Sequence, residues 1–198
     1  IVDVVSENVI EHAFGIPGGG ISLELIDKLL SRNVSFHTTH FEGSAAIMAG
    51  VVGRLSNKVG IAISIKGPGV ANMVPGLAFC AFENLPLVAM TEAYAPEVSL
   101  DRAHKRVDHQ ILTAPIVKYC TSIQNGKKSF LQAYSQAREE IPGATVLELV
   151  VGEHNSSVTD SSSKREPTKD HFSNYLKRSN RPIVIVGSFG IREDLGGA

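Results

Sequence analysis

"VGIAISIKGPGVANMVPGLAFCAFENLPLVAMT", residues 59–91, carries two short apolar runs divided by a Gly-rich turn and a helical stretch. The runs "VGIAISI" at 59–65 and "LPLVAMT" at 85–91 are nearly continuous in apolar residues, as in strands covered on both faces of a sheet. Between them, residues 70–83 supply a helix long enough to return the chain across that sheet. The two strands therefore fit a parallel β–α–β unit.

The same alternation extends in both directions. Upstream, strands are expected at 12–16 and 34–38, with helices at 2–10, 21–32 and 43–55; downstream, strands at 115–123 and 144–151 flank a helix at 127–140. Helix 43–55 draws on "THFEGSAAIMAGVVG" (39–53), whose small residues Ala45, Ala46, Ala49 and Gly50 recur at near-helical spacing and suit close packing. Residues 1–152 thus predict an α/β domain with a doubly wound, mostly parallel sheet flanked by helices. After residue 152 the composition shifts: "EHNSSVTDSSSKREPTKD" is polar and Ser-rich, so 153–180 is expected to be an exposed linker with a short helix. The run "RPIVIVGSFG" then suggests that 181–198 is the start of a second α/β domain, and that the sequence is a fragment of a longer chain.

Composition narrows the function classes. The 198 residues are 43% hydrophobic, enough to bury a substantial core. With 19 basic and 20 acidic residues, charge makes no case for nucleic acid as a partner. No apolar run is long and uninterrupted enough to span a bilayer, and no signal peptide is visible. The two cysteines, Cys80 and Cys120, lie in apolar segments, which points to a reduced, cytoplasmic protein.

Three features stand at successive strand ends, where ligands of open α/β sheets bind. "FGIPGGG" (14–20) follows a strand and precedes a helix, but its glycines do not fit the dinucleotide fingerprint; "KGPGVAN" (66–72) is a second such turn. Each alone is equally well a tight turn requiring Gly. The third is Glu42, which alone would be a helix-start carboxylate favoured by the helix dipole. Other signals are weaker: His37 and His40 in "HTTH" point to opposite faces of a strand, and nothing near Cys80 supplies a base for a nucleophile. The charged stretch 97–110 suits a solvated loop, which could also close over a site.

Taken in order and spacing, "FGIPGG", "HFEGSAAIMAG", "GPGVANMVPGLAFCAFENLPLVAMT" and "DHQILTAPIVKYC" resemble the pyrimidine-binding (PYR) domain of thiamine diphosphate enzymes, in the acetolactate synthase, pyruvate oxidase and benzoylformate decarboxylase group. The resemblance covers residues 1 to about 152, and "RPIVIVGSFG" resembles the start of that group's central domain. It implies that Glu42 hydrogen-bonds N1′ of the cofactor aminopyrimidine. A carboxyl group in dry surroundings can share a proton with the ring nitrogen, favouring the imino tautomer that deprotonates thiazolium C2. The resemblance also implies that Pro17, Gly18 and Gly19 lie near the thiazolium and substrate, and that Gly67, Pro68, Gly69 and Asn72 pack on the pyrimidine side.

Departures bear on the substrate rather than the cofactor. Lys66 stands where a small residue is more usual, the Gln expected before Asp108 is missing, and "LELVVGEH" lacks the Pro that commonly closes the last strand. No Gly-Asp-Gly motif occurs, so Mg²⁺ and the diphosphate are expected to be held by a separate PP domain, with no metal ligand in this chain. The implied function is decarboxylation of a 2-oxo acid with carboligation, in a homo-oligomer at least dimeric, with FAD undetermined. A simple 2-oxo acid decarboxylase or its small subunit, a non-catalytic association module, and an ordinary mononucleotide-binding domain are the alternatives.

Overall fold

In the computed structural model, residues 1–7, 10–99, 103–123 and 125–151 are described. Their order is α1 (Val2–Glu7), β1 (His12–Gly15), α2 (Ile21–Leu30), β2 (Ser35–Thr38), α3 (Glu42–Leu55), β3 (Gly60–Ser64), α4 (Pro68–Phe82), β4 (Leu87–Tyr94), α5 (His109–Thr113), β5 (Tyr119–Ser122), α6 (Gly126–Arg138) and β6 (Ala144–Val151). The six strands form one sheet in the order β2-β1-β3-β4-β6-β5, and every pairing is parallel. The expected linker at 153–180 and second domain at 181–198 lie outside the described residues. No helix among those residues is long and apolar enough to cross a membrane.

The two faces of the sheet are packed with side chains of different size. On one face Ile61 and Ile63 of β3, Val88 and Met90 of β4, and Leu147 of β6 meet α1, α2 and α6. On the other, Ala62, Ala89 and Ala144 lie under α3 and α4, where Ala45, Ala46, Ala49, Met73 and Leu77 fill the layer. Alternation along each strand produces this division, because successive side chains point to opposite faces. The small residues let α3 and α4 lie close together: a Cβ on Gly76 would stand 2.2 Å from the Gly43 carbonyl oxygen. The same alternation of faces makes β1 and β3 the place where the winding reverses. The chain leaves β1 towards α2 on one side and β3 towards α4 on the other. A crevice opens between strand ends at such a reversal.

The expected α/β fold with a parallel sheet flanked by helices is present, with every pairing among the described strands parallel. Two element boundaries differ from the expectations, for physical reasons. Strand β4 continues past residue 91 to Tyr94, still paired with β6, because the charge of Glu92 that ends the apolar run is compensated inside the protein. Strand β5 begins at Tyr119 rather than 115, because Asp108 caps a short helix, its Oδ1 accepting from the Ile111 N–H at 2.8 Å.

Candidate cofactor-binding site

The turns after β1, β2 and β3 gather at the carboxyl ends of these adjacent strands. A Cβ on Gly18 would stand 2.1 Å from Ile65 Cγ2, so the turns after β1 and β3 touch and leave no room there for a side chain. Around Gly19 there is open space, and Pro17 is exposed. Gly67 has φ +65° and ψ −106°, and a Cβ there would meet the Lys105 carbonyl oxygen at 2.0 Å. Both the positive φ and the close approach require glycine. Pro68 follows as the first residue of α4, where its missing N–H costs no helical hydrogen bond.

Glu42 opens α3 directly after the extended Phe41. It is only 7% exposed although it begins a helix at the mouth of the crevice. Its Oε2 accepts a hydrogen bond from Asn72 Nδ2 at 3.2 Å, joining α3 to α4. Among the described residues no donor reaches Oε1, and a Cβ on Gly69 would lie 3.6 Å from that oxygen. A carboxylate oxygen without a protein donor on a residue only 7% exposed, beside a residue with no side chain, matches an external group presenting N–H or a protonated ring nitrogen. Of the residues singled out from sequence, Glu42, Gly69 and Asn72 are therefore brought together, Gly67 and Pro68 form the turn leading to them, and Gly18 touches the Ile65 side of that turn. Pro17 and Gly19 make none of these contacts.

Two polar clusters behind the turns escaped the sequence reading. Glu92 of β4 is 2% exposed; its Oε1 accepts from Ser22 N–H (3.1 Å) and Ser22 Oγ (2.6 Å), and its Oε2 from Lys66 Nζ (2.7 Å). Burial pushes this carboxyl group up, but the hydrogen bonds from Lys66 and Ser22 and the charge of Lys66 outweigh it and hold the group below the ordinary carboxylate range. Lys66 Nζ also lies 4.9 Å from the centre of the Tyr94 ring. One carboxylate thus ties together the first turn of α2, the end of β4 and the turn after β3. A lone Glu just past a buried apolar strand, with an unusual Lys at the neighbouring strand end, was the available signal.

The second cluster centres on His109, which is 3% exposed. Its Nε2 accepts from the Gly67 N–H at 2.9 Å, and its Nδ1 lies 2.9 Å from Glu148 Oε1. Glu148 Oε2 accepts from Ser122 Oγ at 2.6 Å. Burial raises the Glu148 carboxyl group, whereas hydrogen bonds from His109 and Ser122 bring it below the ordinary value. This histidine sits in the segment expected to be a solvated loop, and the charge density around it masked its burial.

Comparison with known proteins adds the family context. The family described as thiamine pyrophosphate enzyme, N-terminal TPP binding domain, matches residues 1–110. An acetolactate synthase of Bacillus subtilis is 35% identical over 127 residues, 64% of this chain and 22% of that protein. A catabolic acetolactate synthase of Raoultella terrigena is 28% identical over 152 residues, 75% of this chain and 27% of that protein. An acetolactate synthase large subunit of Cyanidium caldarium is 27% identical over 211 residues, 94% of this chain and 36% of that protein. The chain spans roughly a quarter to a third of the length of these relatives.

Proposed function

The chain belongs to the family of thiamine pyrophosphate enzyme N-terminal TPP binding domains, and from that premise we propose that it holds the aminopyrimidine of thiamine diphosphate for an enzyme that decarboxylates a 2-oxo acid and joins the product to an acceptor. The observation that carries this reading is Glu42: a buried carboxylate with Oε2 engaged by Asn72 and Oε1 open towards the crevice. Glu42 would accept or share the proton at ring N1′ through Oε1. Asn72 fixes the orientation of the carboxylate, and the Gly67 and Gly69 backbone lets a flat ring approach. When bound, thiamine diphosphate supplies the nucleophilic carbon and the electron sink for the 2-oxo acid. The chain's own residues orient the ring, place its proton and limit access of water.

The diphosphate and its Mg²⁺ would be held by a separate domain. Assembly into at least a dimer is supported by an apolar surface on α3 and α4, where Met48, Leu55, Phe79 and Phe82 are exposed. The acceptor chemistry follows the acetolactate synthase relatives, and two buried, unpaired thiols suit a reducing cytoplasm.

The test is hydrogen–deuterium exchange at C2 of thiamine diphosphate bound to the intact protein, comparing wild type with Glu42→Gln. A positioned proton-transfer group contributes about 10²–10⁴-fold, so the variant should lose exchange on that order while still binding the cofactor. Unchanged exchange would remove Glu42 from the mechanism. Absence of cofactor binding to the wild type in calorimetry would favour an association module instead.

A further inference from the structure

We infer that His109 is a positioning residue for the Gly67 turn, and that the turn is held only while the His109 imidazole is neutral with its proton on Nδ1. The inference rests on the reading of that turn as part of the thiamine diphosphate site and adds a condition under which the site is formed.

Hydrogen-bond bookkeeping fixes the tautomer. The Gly67 N–H can only donate, so Nε2 at 2.9 Å must offer a lone pair, and the ring proton resides on Nδ1, donating to Glu148 Oε1 at 2.9 Å. Glu148 is itself fixed by Ser122 through its other oxygen. The Gly67 carbonyl oxygen accepts from Ala71 N–H at 2.9 Å, so the two peptide groups flanking the Gly67 Cα are held, one by His109 and the other by the first turn of α4. One turn further on, Asn72 reaches Glu42. A path of hydrogen bonds thus runs from the end of β5 and the middle of β6 through His109 to the turn after β3, and α4 carries it to the candidate proton-handling carboxylate.

Protonation of Nε2 would set an N–H against the Gly67 N–H. The bond is then lost and a buried donor faces another donor, at a position where positive φ leaves the backbone few alternatives. The charged and titratable groups around His109 do not substitute for the lost acceptor. Glu148 on β6 remains bonded to Nδ1. Asp108, the neighbouring cap, accepts from Ile111 N–H. Cys120 on β5 is a thiol pushed up to about 12 by burial. Lys66 is engaged by Glu92, and Arg106 donates to the Val98 and Ala95 carbonyls. Lys105 presents its carbonyl oxygen beside Gly67. Helix α4 contributes no charged side chain.

Two amide replacements separate the two ends of the ring. In His109→Gln the side-chain oxygen can stand near the place of Nε2 and accept from Gly67, and it does not titrate. In His109→Asn the amide stands near Nδ1, can still donate to Glu148, and leaves Gly67 without an acceptor. Gly67 amide protection, followed by hydrogen exchange of the segment 65–72, and thiamine diphosphate affinity, followed by calorimetry in the presence of Mg²⁺, are measured on the intact protein across an acid-to-neutral series. Wild type should lose protection and affinity together on acidification. His109→Gln should keep both without the acid limb, and His109→Asn should lose protection and bind about tenfold or more weakly at neutral pH. Wild-type behaviour in His109→Asn, or an unchanged acid limb in His109→Gln, would overturn the inference. Should the Asn variant fail to fold, the wild-type and Gln series decide alone. If Gly67 protection follows the expected pattern while wild type binds no thiamine diphosphate at any pH, the cofactor reading fails and the coupling of His109 to the turn stands.

Discussion

Glu92 and Lys66 form a pair whose removal from one side leaves the other poorly solvated: the side chains are 3% and 18% exposed. In Glu92→Gln the amide oxygen can still accept from Ser22, but the Lys66 charge loses its partner. Denaturant unfolding should show a loss of about 1–3 kcal/mol, the range for removing a buried charge-assisted hydrogen bond. The cysteines carry a different expectation. Burial pushes both thiols up to about 12, so about a thousandfold less thiolate is present than for an ordinary cysteine. Alkylation of Cys80 and Cys120 should therefore track unfolding, and rapid modification of the native protein would contradict their packing. At this scale Glu42 was singled out from sequence only through the resemblance of several motifs in register, since within its own run it read as a helix-start carboxylate. Glu92 and His109 were not, because their partners are distant in the chain: Ser22 is 70 positions from Glu92, and Glu148 is 39 from His109. No local pattern reports such pairings.

At the scale of elements, the turn at Gly67 and its helix α4 form the part of the site least able to accept change. Gly67→Ala introduces a methyl group at positive φ and drives it against the Lys105 carbonyl oxygen. Strain of this kind costs about 1–3 kcal/mol before any clash is relieved. The variant should lower the thermal midpoint and weaken thiamine diphosphate binding, whereas Gly19→Ala, with open space around the new methyl group, should leave the thermal midpoint nearly unchanged. Paired melting curves of the two variants check this directly. The major helices and strands were legible because each keeps one period long enough to count. Helix α5 was missed because five residues hold too little pattern, and its start depends on the Asp108 cap and the tertiary anchoring of His109.

For the whole molecule, acid should be the destabilising direction. Glu92 and Glu148 both have folded-state values below the ordinary carboxylate range. Their contribution is fully present above the unfolded carboxylate pKa and is lost as pH falls through the depressed folded values. Denaturant midpoints measured from neutral pH downward should fall, and the slope should flatten in Glu92→Gln and Glu148→Gln; an equal slope in both variants and wild type would contradict the assignment. The fold class was legible at this scale because apolar runs and helices alternate over the whole described domain. The strand order was not, since β6 inserts between β4 and β5 without any local sequence mark.

The unequal filling of the two faces of the sheet also sets how freely the protein can drift in sequence. Beneath α2 and α6, bulky residues such as Ile63 and Leu147 can exchange volume with their neighbours, since cores tolerate compensating swaps of similar size. Beneath α3 and α4 the sheet presents Ala62, Ala89 and Ala144 to Ala45, Ala46 and Ala49 of α3, with Met73 and Leu77 of α4 completing the layer, so a methyl added at Ala62 or Ala89 meets close-packed helices. It would displace the helices that carry Glu42 and Asn72. One face of a single sheet is thus open to compensating swaps, while the other seats the two helices that carry Glu42 and Asn72.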